Sequence, residues 1–123
     1  MSCILVVEDE PDLLVTYERL LRRQGYRVVT AASRADALRS MKSSPPALVI
    51  SDLRLPDGDG LEIVRAARAL DPPAPTIVVT AFASGVARAS ALASGAAAFF
   101  AKPFAASALT DAVRRLLEGG GPE

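Results

Sequence analysis

The chain predicts an α/β fold: a doubly wound, five-stranded parallel sheet in the order 2-1-3-4-5, with helices on both faces. Three observations carry this. Apolar runs alternate five times with stretches of helical period, the apolar runs are continuous rather than interleaved with polar residues, and chemically able residues gather where those runs end. A continuous apolar run marks a strand buried on both faces, and each parallel neighbour requires a crossover, supplied here by a helix. Crossovers of one hand then distribute the helices over both sides of the sheet.

In chain order, Ile4-Leu5-Val6-Val7 is the first strand, and it ends abruptly in Glu8-Asp9-Glu10. Asp9 or Glu10 is a candidate helix cap with Pro11 in the first turn, and Leu13, Leu14, Tyr17, Leu20 and Leu21 recur at helical spacing up to Gly25. Arg27 to Ala31 is the second strand. Ser33-Arg34-Ala35-Asp36 resembles a capping box opening a helix through Leu38 and Met41, which Pro45-Pro46 stops. Ala47 to Ile50 is the third strand, ending in Ser51-Asp52, followed by a loop rich in Pro, Gly and Asp. The next helix carries Leu61, Ile63, Val64 and Ala67 and is bounded by Pro72, Pro73 and Pro75. Thr76 to Thr80 is the fourth strand, Ser84 to Ser94 the fourth helix, Ala98 to Ala101 the fifth strand and Ala106 to Glu118 the last helix. With Gly85 and many Ala and Ser residues, the fourth helix has few large apolar anchors and is expected to be the least firmly packed. Residues 1–118 thus read as one domain, and Gly119-Gly120-Gly121 opens a flexible Gly-rich tail or linker start over 119–123.

Composition narrows the function. At 123 residues the chain suits a single domain, and 50% hydrophobic with 23% charged residues is a globular composition. Lys plus Arg and Asp plus Glu number 14 each, so no net field attracts nucleic acid or an anionic membrane, and neither is expected as a direct partner. The chain has no histidine, which removes imidazole as metal ligand, general base and phosphate carrier, so any metal site must use oxygen. The lone Cys3 cannot form an internal disulfide and reads as a small residue at the start of the first strand. No basic segment precedes an apolar core at the N-terminus, and no apolar run approaches a membrane span, so a soluble cytoplasmic protein is expected.

Four of the five strands end in residues suited to phosphate or metal chemistry: Glu8 and Asp9 after the first, Asp52 after the third, Thr80 after the fourth and Lys102 after the fifth. In the order 2-1-3-4-5 these strands are contiguous, and ligands of such sheets bind at the carboxyl ends where the order reverses, here between strands one and three. Each residue taken singly has a bland role, as a helix cap, a strand-end hydroxyl or a solvated lysine. Together they define a crevice. Clustered carboxylates need a compensating cation, and Mg²⁺ suits an all-oxygen site shared with a phosphoryl group. Asp52 can then act as nucleophile toward phosphorus, with Lys102 and Thr80 binding phosphoryl oxygens.

At this point the segments Val6-Val7-Glu8-Asp9-Glu10, Ser51-Asp52-Leu53-Arg54-Leu55-Pro56-Asp57-Gly58-Asp59-Gly60, Val79-Thr80-Ala81 and Lys102-Pro103-Phe104 resemble the receiver domain of bacterial response regulators, part of two-component phosphorelays. The likeness spans nearly the whole chain, and the wording around Asp52 and Lys102 is closest to receivers of enhancer-binding transcription activators. The resemblance implies a flavodoxin-like sheet, Glu8 and Asp9 as the acidic pair holding Mg²⁺, and Asp52 as both metal ligand and phosphoacceptor. It implies further that the Arg54 backbone carbonyl completes the coordination, that Thr80 is the switch hydroxyl, and that the rotamer of Phe99 follows Thr80. A cis Lys102-Pro103 bond belongs to the same inheritance. The implied donor is a histidine kinase or histidine phosphotransfer protein, and the implied output is an unidentified domain or partner reading the face of the fourth helix, fifth strand and fifth helix. Such a chain catalyses only its own phosphorylation and dephosphorylation. Arg54 and Phe82, flanking the path of the attacking water, are candidates for tuning the phosphorylated lifetime.

The chain departs from the family pattern at Phe99, where tyrosine is common, and at Ala97 and Ala98, where many members carry acidic residues used in a dimer contact. These departures count against that dimer contact, while a phosphorylation-dependent dimer of some form stays open. Two enzymatic or metal-binding readings fail on residues: an aspartate-nucleophile phosphatase needs a second Asp where Arg54 stands, and a calcium loop through Asp57-Gly58-Asp59-Gly60 would have Leu55 and Ala66 at required ligand positions. The remaining alternative is a receiver-fold interaction module regulated by contact rather than by phosphorylation.

Overall fold

In the computed structural model, which describes residues 2–118, β1 (Cys3–Val7) leads into α1 (Pro11–Arg23), β2 (Arg27–Ala31), α2 (Arg34–Ser43) and β3 (Leu48–Ser51). A small hairpin, β4 (Arg54–Leu55) and β5 (Gly58–Asp59), precedes α3 (Leu61–Arg68). Then follow β6 (Thr76–Thr80), α4 (Gly85–Ala93), β7 (Ala98–Ala101) and α5 (Ala106–Glu118). The stretch 119–123, expected as a tail or linker start, lies outside the described residues.

Five parallel strands form the main sheet in the order β2-β1-β3-β6-β7, which is 2-1-3-4-5 when its strands are counted alone. The hairpin was expected as loop. Its strands are two residues long, so no apolar period announces them, and only the Arg54-to-Asp59 and Leu55-to-Gly58 pairing reveals it. Helix α1 is capped by Glu10 rather than Asp9: the Glu10 carboxylate accepts from Asp12 N at 2.7 Å and Leu13 N at 3.3 Å.

Alternation along the strands splits the core in two. Ile4, Val6, Ile50, Ile77 and Val79 face Tyr17 and Leu21 of α1 and Leu109, Ala112 and Val113 of α5. On the other face Leu5, Val7 and Val49 pack with Ala37 and Met41 of α2 and with Ile63 and Ala67 of α3. Each fully buried large aliphatic here stabilises by about 1.5–3 kcal/mol relative to exposure. Helix α4 is held differently. Its one buried residue is Ala91, packed with Val64 and Val78, while Val86 is 78% exposed and Leu92 42%. The weak packing expected from its composition is what the fold contains.

Candidate functional site

Strand register builds the crevice. Val7 lies opposite Ser51, so Glu8 and Asp52 are the next residues along two adjacent strands. Asp52 N donates to Val7 O at 3.2 Å and Glu8 N to Ala31 O at 3.0 Å, which fixes both backbones. Thr80 ends β6 opposite Ala101, and Lys102 N donates to Thr80 O at 2.9 Å. Residues 50 and 94 positions apart in sequence therefore meet at one end of the sheet.

The centre of the site is the Lys102 ammonium. Nζ donates to Glu8 Oε1 and to Asp52 Oδ2, each at 2.9 Å. Glu8 is 2% exposed and Asp52 8%, so these are charge-assisted bonds in a partly desolvated place. Burial alone would push the Lys102 ammonium down, but its hydrogen bonds to Asp52 and Glu8, and their charges, hold it above the ordinary lysine value. It stays cationic throughout the physiological range. The second oxygens of both carboxylates are also engaged: Glu10 N donates to Glu8 Oε2 at 3.2 Å and Arg54 N to Asp52 Oδ1 at 3.1 Å.

Thr80 is fully buried, and its Oγ1 accepts from Phe82 N at 3.1 Å, which leaves the hydroxyl proton free to be donated. Asp9 stands at the exposed rim, because one residue beyond the buried Glu8 the side chain turns outward. Phe99 is half-buried beside Val64, Val78 and Ala91, with the Arg88 guanidinium 5.7 Å from its ring centroid. The Lys102-Pro103 bond is cis, as the resemblance implies, and Asp71-Pro72 is also cis.

Three features were not foreseen. The Arg54 guanidinium lies 4.0 Å over the Phe82 ring, joining the two residues picked out by position alone. Tyr17 lies beneath the site, its ring stacked on Phe104 at 6.3 Å, and burial pushes its hydroxyl up from the usual tyrosine value. Asp57 and Arg34 form a tie between the hairpin and α2, whose partners are more than twenty residues apart and carry no local signal.

Donor chemistry allows a hard divalent cation. Among the described residues no three His, Cys, Asp or Glu side chains converge as a ready-made cage. Mg²⁺ does not require one: it is typically held by one or two carboxylates with several waters. Glu8, Asp9 and Asp52 supply oxygen only, and Lys102 stands between two of them as a cation would. The residues present fit the ion.

Comparison with known proteins agrees with this geometry. Residues 4–114 match the model of the response regulator receiver domain. The chain is 38% identical over 118 residues to the transcriptional regulatory protein PrrA of Mycobacterium bovis, covering 96% of this chain and 51% of PrrA. It is 36% identical to the C4-dicarboxylate transport transcriptional regulatory protein DctD of Rhizobium meliloti, covering 94% of this chain and 25% of DctD. The chain thus spans about half the length, or less, of these relatives. Among solved structures, the receiver domain of the sensor histidine kinase PA1611 of Pseudomonas aeruginosa, with magnesium coordinated in its active site cleft, is 34% identical at TM-score 0.84, covering 94% of this chain and 97% of that one. Among the described residues no helix is long and apolar enough to cross a membrane. With sheet order, crevice and relatives in agreement, the chain belongs to the response regulator receiver domain family, the receiver domains of two-component systems.

Proposed function

We propose that the unit formed by residues 1–118 is a phosphoacceptor switch in which Asp52 takes a phosphoryl group from a phosphohistidine donor. The observation that carries this reading is the Lys102 ammonium bridging Glu8 and Asp52 at 2.9 Å, an arrangement that sets a cation beside the nucleophile, where phosphoryl charge develops. The chain has no histidine, so the phosphorus–nitrogen bond that breaks belongs to a histidine kinase or phosphotransfer protein. Asp52 contributes its electron pair to the new oxygen–phosphorus bond, giving an acyl phosphate, and the donor imidazole leaves. Lys102 then binds one phosphoryl oxygen and the free Thr80 proton another. Glu8, Asp9, Asp52 and the Arg54 carbonyl would hold Mg²⁺, which when bound supplies positive charge to the phosphoryl oxygens. The acyl phosphate is later lost to water, so the chain acts on itself rather than turning over a substrate.

The consequence is a population shift of α4 and the Phe99 side chain, because the chain runs from Thr80 through an exposed loop straight into that loosely held helix. The face of α4, β7 and α5 then meets an output domain or partner, consistent with the regulators of transcription among the relatives. A cytoplasmic location and a phosphorylation-dependent dimer belong to the same reading.

Intact mass after exposure to acetyl phosphate with Mg²⁺ tests it. One added phosphoryl group is expected in the wild type and none in Asp52→Asn. Lys102→Met is expected to slow uptake by about 10²-fold, the usual cost of one donor to a developing oxyanion. Absence of any adduct at all Mg²⁺ concentrations points instead to an interaction module regulated by contact.

A further inference from the structure

Away from the acidic crevice, a second polar cluster ties the hairpin to the start of α2. Ser33 Oγ caps α2 by accepting from Asp36 N at 3.1 Å, but the two preceding first-turn N–H groups are satisfied from elsewhere. Arg34 N donates to Asp57 Oδ1 at 2.7 Å and Ala35 N to Asp57 Oδ2 at 2.9 Å. Arg34 answers in the other direction: its Nε donates to the Asp57 carbonyl oxygen at 3.3 Å, and its guanidinium pairs with Glu62 in the first turn of α3. The fit is close. A Cβ on Gly58 would lie 2.6 Å from Arg34 Nε, so any side chain at residue 58 would make the Arg34 side chain shift from its place against the hairpin.

The same hairpin begins at the crevice. Arg54 pairs with Asp59 across the hairpin while its N–H holds Asp52 Oδ1 at 3.1 Å. Gly60 N donates to Leu53 O at 2.8 Å, and a Cβ on Gly60 would collide with the Asp52 carbonyl oxygen. Residues 52–60 are therefore a closed loop with its base at the acidic site and its tip on α2. A segment pinned at both ends presents its ligating atoms in one geometry, whereas a tip cut free lets them sample many.

We propose that Asp57 and Arg34 are positioning residues for the phosphoacceptor loop: docking of the hairpin tip on the N-terminus of α2 fixes the Asp52–Arg54 segment in the geometry that receives Mg²⁺. This rests on the phosphoacceptor reading, and two of its tests require no phosphate. In metal-free protein, NMR-detected amide exchange at Arg54 and Gly60 is expected to speed up in Asp57→Ala while amides of β1 and β6 stay as in wild type. Titration with Mg²⁺, followed on the same amides, is expected to move its midpoint up by about tenfold. Asp57→Asn retains one acceptor oxygen and falls between wild type and Asp57→Ala, and it serves if the alanine variant folds poorly. Arg34→Ala is expected to move the midpoint in the same direction.

The control is Ser33→Ala, which removes a cap from the same helix without touching the hairpin. A merely structural role for Asp57 would make Ser33→Ala and Asp57→Ala shift the Mg²⁺ midpoint alike. That result overturns the proposal, as does wild-type exchange with an unmoved midpoint in Asp57→Ala. If the wild type binds Mg²⁺ yet takes no phosphoryl group from acetyl phosphate, the phosphoacceptor reading falls, and the exchange and titration results still decide whether the docking positions the loop.

Discussion

Two loops leave the carboxyl end of the sheet from neighbouring strands, each carrying a residue of the crevice, and they are built in opposite ways. After Asp52 the chain folds at once into a hairpin, presses Gly60 against the Asp52 carbonyl and docks Asp57 on α2. After Thr80, residues 81–86 are all exposed, and the helix that follows is anchored by Ala91. The difference teaches a division of labour. On the phosphoacceptor proposal, the acceptor is held where it would meet a donor and a metal, while the helix beside it can repack at small cost when a new charge arrives.

The largest expected contrast lies in the helices that follow the two loops. Ile63 of α3 is fully buried, and Ile63→Ala is expected to cost about 2–5 kcal/mol. Leu92 of α4 is 42% exposed, and Leu92→Ala should fall within about 0.5 kcal/mol of wild type in urea unfolding. Equal losses would mean that α4 is as firmly held as α3. The loops themselves give a sharper pair, because each has a glycine where its helix begins. Gly60→Ala puts a Cβ into the backbone of Asp52 and Leu53 and should cost about 1–3 kcal/mol. Gly85 has nothing within 4 Å of its would-be Cβ, so Gly85→Ala should stabilise by about 0.4–1 kcal/mol. Opposite signs support the comparison, and equal signs break it.

Much of this is legible in the sequence, for a physical reason. Continuous apolar strands and helical-period stretches report burial directly, so the alternating strands and helices are legible in Ile4–Val7, Leu48–Ile50, Thr76–Thr80 and Ala98–Ala101, and the order 2-1-3-4-5 favoured for such a sheet then makes Glu8, Asp52, Thr80 and Lys102 contiguous. Even the thin packing of α4 is written in its Ala and Ser content. What sequence does not carry is the partner of a polar residue in a loop. Asp57 reads as a turn former, and nothing adjacent to it indicates that its carboxylate caps a helix 22 residues earlier. Likewise Arg54 and Phe82 stand out by position, but their stacking depends on how two separate loops converge.

The docking of the first loop carries a pH signature. N–H groups of Ala35 and Arg34 hold the Asp57 carboxyl below the ordinary value of 3.8. A group whose folded pKa is depressed stabilises fully above the unfolded value and loses that contribution as pH falls through the folded one. Wild type should therefore melt higher than Asp57→Asn near neutrality, with the gap closing below pH 3.8. A gap that persists unchanged in acid would mean that the tie depends on shape alone.

The smallest effect tests whether the two loops are independent. The Arg54 guanidinium belongs to the fixed loop and the Phe82 ring, 56% exposed, to the free one, and their 4.0 Å stack bridges them at the mouth of the crevice. Exposed stacks of this kind contribute about 0.5–1 kcal/mol, so a double-mutant cycle of Arg54→Ala and Phe82→Ala should return a coupling of that size. The Arg54 backbone N–H also donates to Asp52 Oδ1 at 3.1 Å, so the fixed half of the stack starts beside the proposed acceptor. If Asp52 forms the proposed acyl phosphate and the stack borders the path of the attacking water, the rate of phosphate loss, followed by intact mass, should change in both single variants. Unchanged loss in both would remove the stack from the water's path. Coupling without a change in rate would make it a brake on the free loop alone.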